Sequence, residues 1–210
     1  HSDLVCFSFH PRKVITTGDG GMITTNNEAY YNRLKLLRQH GMSVNDRVRH
    51  TSTTVINEDH LEVGYNYRLT DIQAAVGIKQ LERLDWIIGE RRKIADQYNA
   101  VFKNYDFIRL PAEPEHYFTN WQSYILYLKD NSPVKRNDLM QLLLDRGIST
   151  RRGVMTSHRE TAYKNHKLVA PLPVSENACD NSIVIPLYVP MSQEEVQYVI
   201  DNTKEILSGK

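Results

Sequence analysis

The sequence predicts an α/β fold that continues into a small α+β domain. Short β-rich segments and a capped helix occupy residues 4–40, and strands alternate with helices again from about Trp121 onward. Such alternation is typical of a sheet covered by helices. We therefore expect three parts: residues 1–69 as the end of a large domain, 70–104 as a long connecting helix, and 105–210 as the small domain.

The first strands are predicted from short apolar and β-branched runs. Leu4–Phe7 is apolar and too short for a solvent-facing helix, which favours a strand. Val14–Thr17 and Met22–Thr25 are rich in β-formers and flank the glycine-rich residues 18–21. This pattern predicts a hairpin.

A helix and a long loop are expected next. Asn26 or Asn27 is a suitable N-terminal cap, and the helix should run to His40, where Gly41 ends it. Residues 42–62 are polar and aperiodic. A loop of that length inside a compact domain is usually functional or mobile.

The longest predicted helix begins at Thr70. Thr70 and Gln73 form a capping-box pattern, and apolar residues then recur three and four positions apart. Only Arg91 interrupts this stripe. The pattern favours a core-facing helix and leaves open a dimer seam. The apolar positions are Leu81, Leu84, Ile88, Ala95, Tyr98 and Phe102.

The last part of the chain shows two strands and two helices. Residues 123–129 alternate like a strand, and 148–151 resemble another. A helix is predicted from Ser132 to Gly147, with proline in its first turn. Ser192–Glu195 is a second capping box, which predicts the start of the final helix.

Composition excludes several classes of function. The 210 residues include 26 basic and 25 acidic ones, for a net charge of +1, so no electrostatic footprint for nucleic acid is expected. No apolar run approaches the ~20 residues that span a bilayer. The two cysteines, Cys6 and Cys179, indicate no disulfide framework and favour the cytoplasm. No metal-ligand spacing is present either, and no metal site is expected.

One lysine is placed where it could carry chemistry. Lys13 follows the first apolar strand and precedes the glycine-rich turn. Such a lysine can leave bulk water, and desolvation lowers the pKa of an amine toward the range of a usable nucleophile. The alternative is an ordinary solvated lysine after an edge strand.

Two segments carry a family resemblance. The first is Phe7-Ser8-Phe9-His10-Pro11-Arg12-Lys13, and the second runs from Gly64 to Ala75 and opens Gly-Tyr-Asn-Tyr-Arg. Together they resemble the DegT/DnrJ/EryC1/StrS aminotransferases, which use pyridoxal phosphate (PLP) and mostly act on nucleotide-linked keto-sugars. The resemblance implies the C-terminal part of a fold type I PLP-dependent transferase.

The resemblance also implies roles for particular residues. Lys13 would be the Schiff-base lysine and the proton carrier, and Ser8 would bind the PLP phosphate. His10 would lie near the substrate. Asn66 would reach the PLP phosphate of a neighbouring subunit, and Arg68 would meet an anionic part of the substrate. A homodimer with shared active sites is therefore expected.

The implied reaction is a transamination. The amino donor would be glutamate and the acceptor a nucleotide keto-sugar, in amino-sugar or cell-surface polysaccharide biosynthesis. Asp19 stands where the family usually has glutamate, and Gln122 where relatives often have histidine, which puts a substrate contact there in doubt. Thr150–Gly153 could meet a phosphate or carboxylate through its arginines, or be solvated.

The chain is expected to be a piece of a longer enzyme, because it lacks an initiator methionine and enters a strand at once. In this fold type the acid for the pyridinium nitrogen and the ring that stacks on PLP precede the lysine. The 210 residues alone are therefore expected to bind PLP poorly and to be inactive.

Three alternatives remain at this stage. A dehydratase of the same family usually has histidine in place of the lysine, so Lys13 argues against it. A regulatory, non-catalytic relative stays open. So does an interaction domain that uses the apolar stripe of the long helix.

Overall fold

The computed structural model describes residues 2–44 and 46–209. The chain divides into two compact units, His1–Leu84 and Asp85–Lys210. The three-part division expected from the sequence stays a prediction.

The first unit contains a two-stranded antiparallel sheet. Strand β1 (Val5–Ser8) pairs with β2 (Gly21–Thr24), which confirms the strand predicted near Leu4–Phe7. The predicted hairpin is wrong, because β2 pairs with β1 and not with residues 14–17. Strand partners distant in sequence cannot be recognised from β-propensity alone.

Backbone bonds at Phe9 explain the different pairing. Its N–H donates to the carbonyl of Gly20 at 2.9 Å, and its own carbonyl accepts from the N–H of Thr17 at 3.1 Å. Residues 10–16 therefore leave the ladder as a loop, here called the lysine loop. Pro11 within it has no N–H to offer a strand partner.

Two helices follow in the first unit. Helix α1 (Glu28–Leu37) is capped by Asn27, whose side chain accepts from the N–H groups of Ala29 and Tyr30. Its helical residues end three positions before the expected His40, which adopts a positive φ of 58°. Helix α2 (Asp46–Thr51) lies within the segment expected to be a loop.

The long helix predicted from Thr70 is two helices in the structure. Helix α3 (Asp71–Glu82) begins with the predicted capping box between Thr70 and Gln73, and α4 (Leu84–Phe102) follows. Arg83 separates them, with φ and ψ of −99° and −1°. The backbone N–H of Arg83 donates to the carbonyls of Gln80 and Leu81, which forms a tight turn.

The second unit is a four-stranded antiparallel sheet with helices. The strands are β3 (Ile108–Arg109), β4 (Tyr124–Leu128), β5 (Arg151–Arg152) and β6 (Ser182–Ile185), in the order β3-β4-β6-β5. The strand predicted at residues 123–129 is confirmed as β4, whereas the one predicted at 148–151 overlaps β5 only at Arg151. The central strand β6 was not predicted, because its four residues are all buried and show no alternation.

Besides most of α4, the second unit contains three helices, α5 (Arg136–Asp145), α6 (Pro173–Asn181) and α7 (Gln193–Leu207). Helix α5 contacts β6 and α7, and α6 contacts β4. Helix α7 begins with the predicted capping box between Ser192 and Glu195. Two short 3-10 turns, Ser157–Arg159 and Thr161–Tyr163, precede α6.

The apolar stripe of α4 lies in the core of the second unit. Ala95, Tyr98 and Phe102 have no exposed surface, and the ring of Tyr98 meets that of Tyr124 edge-on at 5.0 Å. Burying each of the larger side chains contributes about 1.5–3 kcal/mol. The core-facing interpretation is thus confirmed for α4, whereas Leu81 in α3 is 54% exposed.

An ion pair anchors the segment before β4. Arg92 donates two bonds of 2.8 Å to the carboxylate of Glu113, and the same carboxylate accepts from the N–H of Thr119. The Arg92 guanidinium also lies 4.4 Å from the ring centre of Phe118. The bonds from Arg92 and then from Thr119 lower the pKa of Glu113 from its ordinary 4.5 to about 2.

This pKa predicts a pH dependence of stability. Because the folded state lowers the pKa of Glu113, its carboxylate stabilises the fold above about pH 4.5, and this contribution is lost as the pH falls toward about 2. We expect the difference in urea midpoint between the native chain and Glu113→Gln to shrink over that window. Glu115→Gln, at an exposed neighbour, is the control. A difference that does not change with pH would contradict the assignment.

Candidate active site

The lysine loop is ordered by its own hydrogen bonds. The N–H of Lys13 donates to the carbonyl of His10 at 2.9 Å, and Nδ1 of His10 accepts from the N–H of Arg12 at 3.2 Å. Oγ of Ser8 accepts a long bond of 3.5 Å from the N–H of His10. The structure therefore brings three predicted site residues, Ser8, His10 and Lys13, together in one turn.

The surroundings of Lys13 differ from the sequence prediction. Its side chain is exposed, as is that of Ser8, and His10 is half-buried. The expected withdrawal of the amine from water is thus not produced by the described residues of this chain. A single strand end cannot desolvate a lysine, since this requires walls on several sides.

The glycine-rich turn behind the lysine loop contacts the start of α3. A Cβ atom at Gly20, where φ is 132°, would lie 2.9 Å from Cδ1 of Leu69 and 3.0 Å from Oγ1 of Thr17. Nε2 of Gln73 donates to the carbonyl of Asp19 at 3.0 Å. Glycine here permits this close approach, which ties the glycine-rich turn to the cap of α3.

The second group of predicted residues lies in residues 64–68, here called the asparagine segment. Its backbone is bonded to the end of α1: the N–H of Tyr65 donates to the carbonyl of Leu37 at 2.7 Å, and that of Tyr67 to Arg38 at 2.9 Å. A Cβ at Gly64 would lie 2.2 Å from the backbone nitrogen of Gly41. Gly41 and Gly64 thus allow the asparagine segment to lie in direct backbone contact with the chain that follows α1.

Asn66 and Arg68 form a pair on this segment. Nε of Arg68 donates to Oδ1 of Asn66 at 3.1 Å, and both residues are exposed. Since Oδ1 of Asn66 accepts from Arg68, its amide nitrogen points away from Arg68 and can donate to another group. The described hydrogen bonds place Asn66 and Arg68 in one group and the lysine loop residues in another, joined through the turn at Gly20 and the cap of α3.

Two features of the chain were missed by sequence reasoning. Tyr65 and Tyr67 stack in parallel with ring centres 5.0 Å apart, although both are largely exposed. Arg91 is only 7% exposed, and its Nη1 donates to the carbonyls of Trp121, Gln122 and Leu187. The interruption of an apolar stripe by one arginine was the available signal.

Gln122, at the position where relatives often have histidine, lies in the second unit. Trp121 is buried with a φ of 48°, and its ring stacks on Tyr124 at 5.6 Å. Within residues 2–44 and 46–209, no group of three or more His, Cys, Asp or Glu side chains could hold a metal ion. None of the described helices is long and apolar enough to cross a membrane.

Comparison with known proteins gives relatives of about twice this length. The chain is 32% identical to the uncharacterized protein MJ1066 of Methanocaldococcus jannaschii, over 98% of the chain and 54% of that protein. The chain therefore spans about half the length of this curated relative.

Solved structures share the fold. PseC of Helicobacter pylori, an aminotransferase involved in the biosynthesis of pseudoaminic acid, matches with a TM-score of 0.88 over 100% of this chain and 54% of its own, at 23% identity. The proposed sugar aminotransferase Spr1654 of Streptococcus pneumoniae, in its PMP form, matches at 28% identity with a TM-score of 0.86, over 99% of this chain and 54% of its own. The fold class expected from the sequence, fold type I, is thereby confirmed.

A family model identifies the protein family of the chain. The model of the DegT/DnrJ/EryC1/StrS aminotransferase family matches residues 1–204. Spr1654 has been solved in both PLP and PMP forms, in keeping with a PLP-dependent family. The resemblance of the two sequence segments, and the cofactor that it implied for the family, are confirmed. The chain belongs to the DegT/DnrJ/EryC1/StrS aminotransferase family.

Proposed function

We propose that the gene product containing these residues is a PLP-dependent aminotransferase that transfers an amino group from glutamate to a nucleotide-linked keto-sugar. The observation that carries the proposal is the exposed Lys13, held in a turn with Ser8 and His10 in a chain of this family. An amino-sugar for cell-surface polysaccharide is the proposed product class. A cytoplasmic location stays a prediction.

The donor set of the chain fits the cofactor. PLP needs an amine for its aldehyde and hydrogen-bond donors for its phosphate, and it then supplies an electron sink for the transfer. Lys13 offers the amine, Ser8 an exposed hydroxyl and Asn66 an exposed amide. These three would hold the cofactor.

The other roles proposed are proton transfer by Lys13 and substrate binding by Arg68 and His10. Nζ of Lys13 would take a proton from the donor carbon that loses nitrogen and, in the second half-reaction, would deliver a proton to the acceptor carbon that gains nitrogen. Arg68 would bind an anionic part of the substrate, since a guanidinium suits carboxylates and phosphates. His10, half-buried in the lysine loop, would contact the substrate.

A dimer follows from the role proposed for Asn66. If its amide serves the phosphate of a neighbouring subunit, each active site needs two chains. Mixing an inactive Lys13 variant with an inactive Asn66 variant would then restore part of the activity, because hybrid dimers would hold one intact site.

The alternative of an interaction domain depended on the apolar stripe of the long helix. Part of that stripe lies in the core of the second unit, where Ala95, Tyr98 and Phe102 have no exposed surface. Side chains with no accessible surface cannot contact a partner.

The proposal is tested by locating the cofactor. The gene product, incubated with PLP, should show an absorbance band that borohydride reduction fixes, and peptide mapping should place the label on Lys13. Lys13→Ala should remove the label, whereas Lys79→Ala, at an exposed lysine paired with Glu82, should keep it. A label that survives Lys13→Ala would overturn the assignment.

A further inference from the structure

The second unit contains a small polar pocket over the end of β6. It has a volume of about 100 Å³, roughly that of three waters. The register explains its place, because β6 is flanked on one side by the start of β4 and on the other by β5. The lining residues are Gln122, Ser123, Ser149, Thr150, Arg151, Val184, Ile185, Pro186 and Leu187.

The lining carries donors and no acid. Three hydroxyls, from Ser123, Ser149 and Thr150, join the Arg151 guanidinium at the wall. Among residues 2–44 and 46–209, none of these four side chains has a hydrogen-bond or ion-pair partner. A small pocket with unused donors and one unpaired cation favours a negatively charged group.

The neighbouring arginine behaves differently. Arg152 lies 3.6 Å from a carboxylate oxygen of Glu160 and does not line the pocket. The alternation of side chains along a strand sends the two arginines of β5 to opposite faces. Arg151 is thus the cation available to the pocket, and Arg152 offers a matched control of the same charge.

A second positive charge lies behind the pocket wall. Nη1 of the buried Arg91 donates to the carbonyls of Gln122 and Leu187, at 3.3 and 3.2 Å, and both residues line the pocket. Its Nε has no partner, and no carboxylate of the described part of the chain pairs with it. Burial lowers the pKa of this arginine. An uncompensated buried cation attracts an anion to the adjacent pocket, because the local dielectric is low.

We infer that this pocket binds a single oxyanion group, a carboxylate or a phosphate, through Arg151 and the hydroxyls of Ser123, Ser149 and Thr150. The guanidinium fork suits both groups, and the volume admits only one of them. That the oxyanion belongs to the amino donor or to the nucleotide sugar rests on the proposed function. The binding itself does not.

Binding is measured by amide NMR on the gene product that contains these residues. Inorganic phosphate and glutarate are titrated separately at constant ionic strength, with chloride as the control anion. We expect saturable shifts at residues 122–123 and 149–151. The tighter of the two probes identifies the source: phosphate points to the nucleotide sugar, glutarate to the amino donor. Equal affinity supports the shared oxyanion chemistry.

Matched variants decide whether the pocket is responsible. Arg151→Gln should raise the Kd about tenfold or more, since it removes a charged hydrogen-bond donor. Arg152→Gln should change it by less than about twofold, as expected for an exposed ion pair. Both exposed variants should keep the native urea midpoint. Linear shifts without saturation, or equal weakening by the two variants, would overturn the inference.

Turnover separates this inference from the proposed function. In the gene product, Arg151→Gln should raise the KM of one substrate more than it lowers kcat, because a binding group remote from the reacting atoms is lost. If the protein shows no transamination but Arg151 still governs anion binding, the proposed function fails and the pocket assignment stands. If transamination occurs and Arg151→Gln leaves Kd and KM unchanged, the pocket assignment fails alone.

Discussion

Replacing Lys13 by arginine is expected to lower the kcat for transamination by about 10³-fold or more. Arginine keeps the positive charge of the exposed side chain, but its guanidinium stays protonated and cannot accept the proton that Nζ would carry. The loss should appear in kcat and not only in KM, because the proton transfer belongs to the reaction step. Single-turnover absorbance of the bound cofactor would measure it directly.

Two comparisons make this result specific to Lys13. Lys79→Arg, at an exposed lysine of α3, should leave kcat within about twofold, as is usual for surface positions. Methylamine added to Lys13→Ala should restore a measurable part of kcat, because a free amine can replace the missing base. A fully active Lys13→Arg variant would contradict both the proton-carrier role and the proposed reaction.

Features that depend on neighbours in sequence were predictable. The caps at Asn27, Thr70 and Ser192 are all present, because a side chain that accepts from an N–H two or three residues later is decided within one helical turn. Strand β4 was predicted because one of its faces is buried and the other partly exposed, which produces alternation along the strand.

Features that depend on distant partners were not predictable. β2 pairs with β1 across the lysine loop, although residues 14–17 are closer in sequence and equally β-rich. The buried run of β6 has no periodicity that could separate a strand from a helix. The exposure of Lys13 likewise depends on what surrounds the loop and not on the loop itself.

The candidate site was predictable in its residues more than in its arrangement. Lys13, Ser8 and His10 were grouped by sequence, and the structure shows local bonds that order the same turn. The link from the glycine-rich turn behind it to the cap of α3, through Asp19 and Gln73, spans more than fifty residues and leaves no local pattern.

Arg91 illustrates how a conflict within a pattern can carry information. Arg91 is a charged residue within an apolar stripe, so its own side chain argues against a buried position. The apolar residues on both sides of it argue for one. The structure resolves the conflict: the position is buried, and its guanidinium donates to backbone carbonyls of two separate segments, 121–122 and 187. Arg91 thus ties α4 to the two segments that continue the paired strands β4 and β6.

Arg91→Met is therefore expected to destabilise the second unit by about 3 kcal/mol. Methionine fills much of the same space and removes the desolvation penalty of the charge, but it leaves three carbonyls without a donor, each worth about 1–3 kcal/mol when buried. The lost bonds should outweigh the relief, because two of the three are fully buried. Urea unfolding, followed by the fluorescence of the buried Trp121, measures the change.

Arg91→Lys separates hydrogen bonding from shape. The three bonds of Arg91 all come from Nη1, and the three N–H groups of an ammonium can serve the same carbonyls, so lysine should lose less than half as much stability as methionine. The same order should hold for anion binding in the pocket, because Gln122 and Leu187 belong to its wall and lysine keeps the charge behind it. If Arg91→Met has the same urea midpoint as the native protein, the carbonyls have found other donors, and Arg91 does not position the pocket wall.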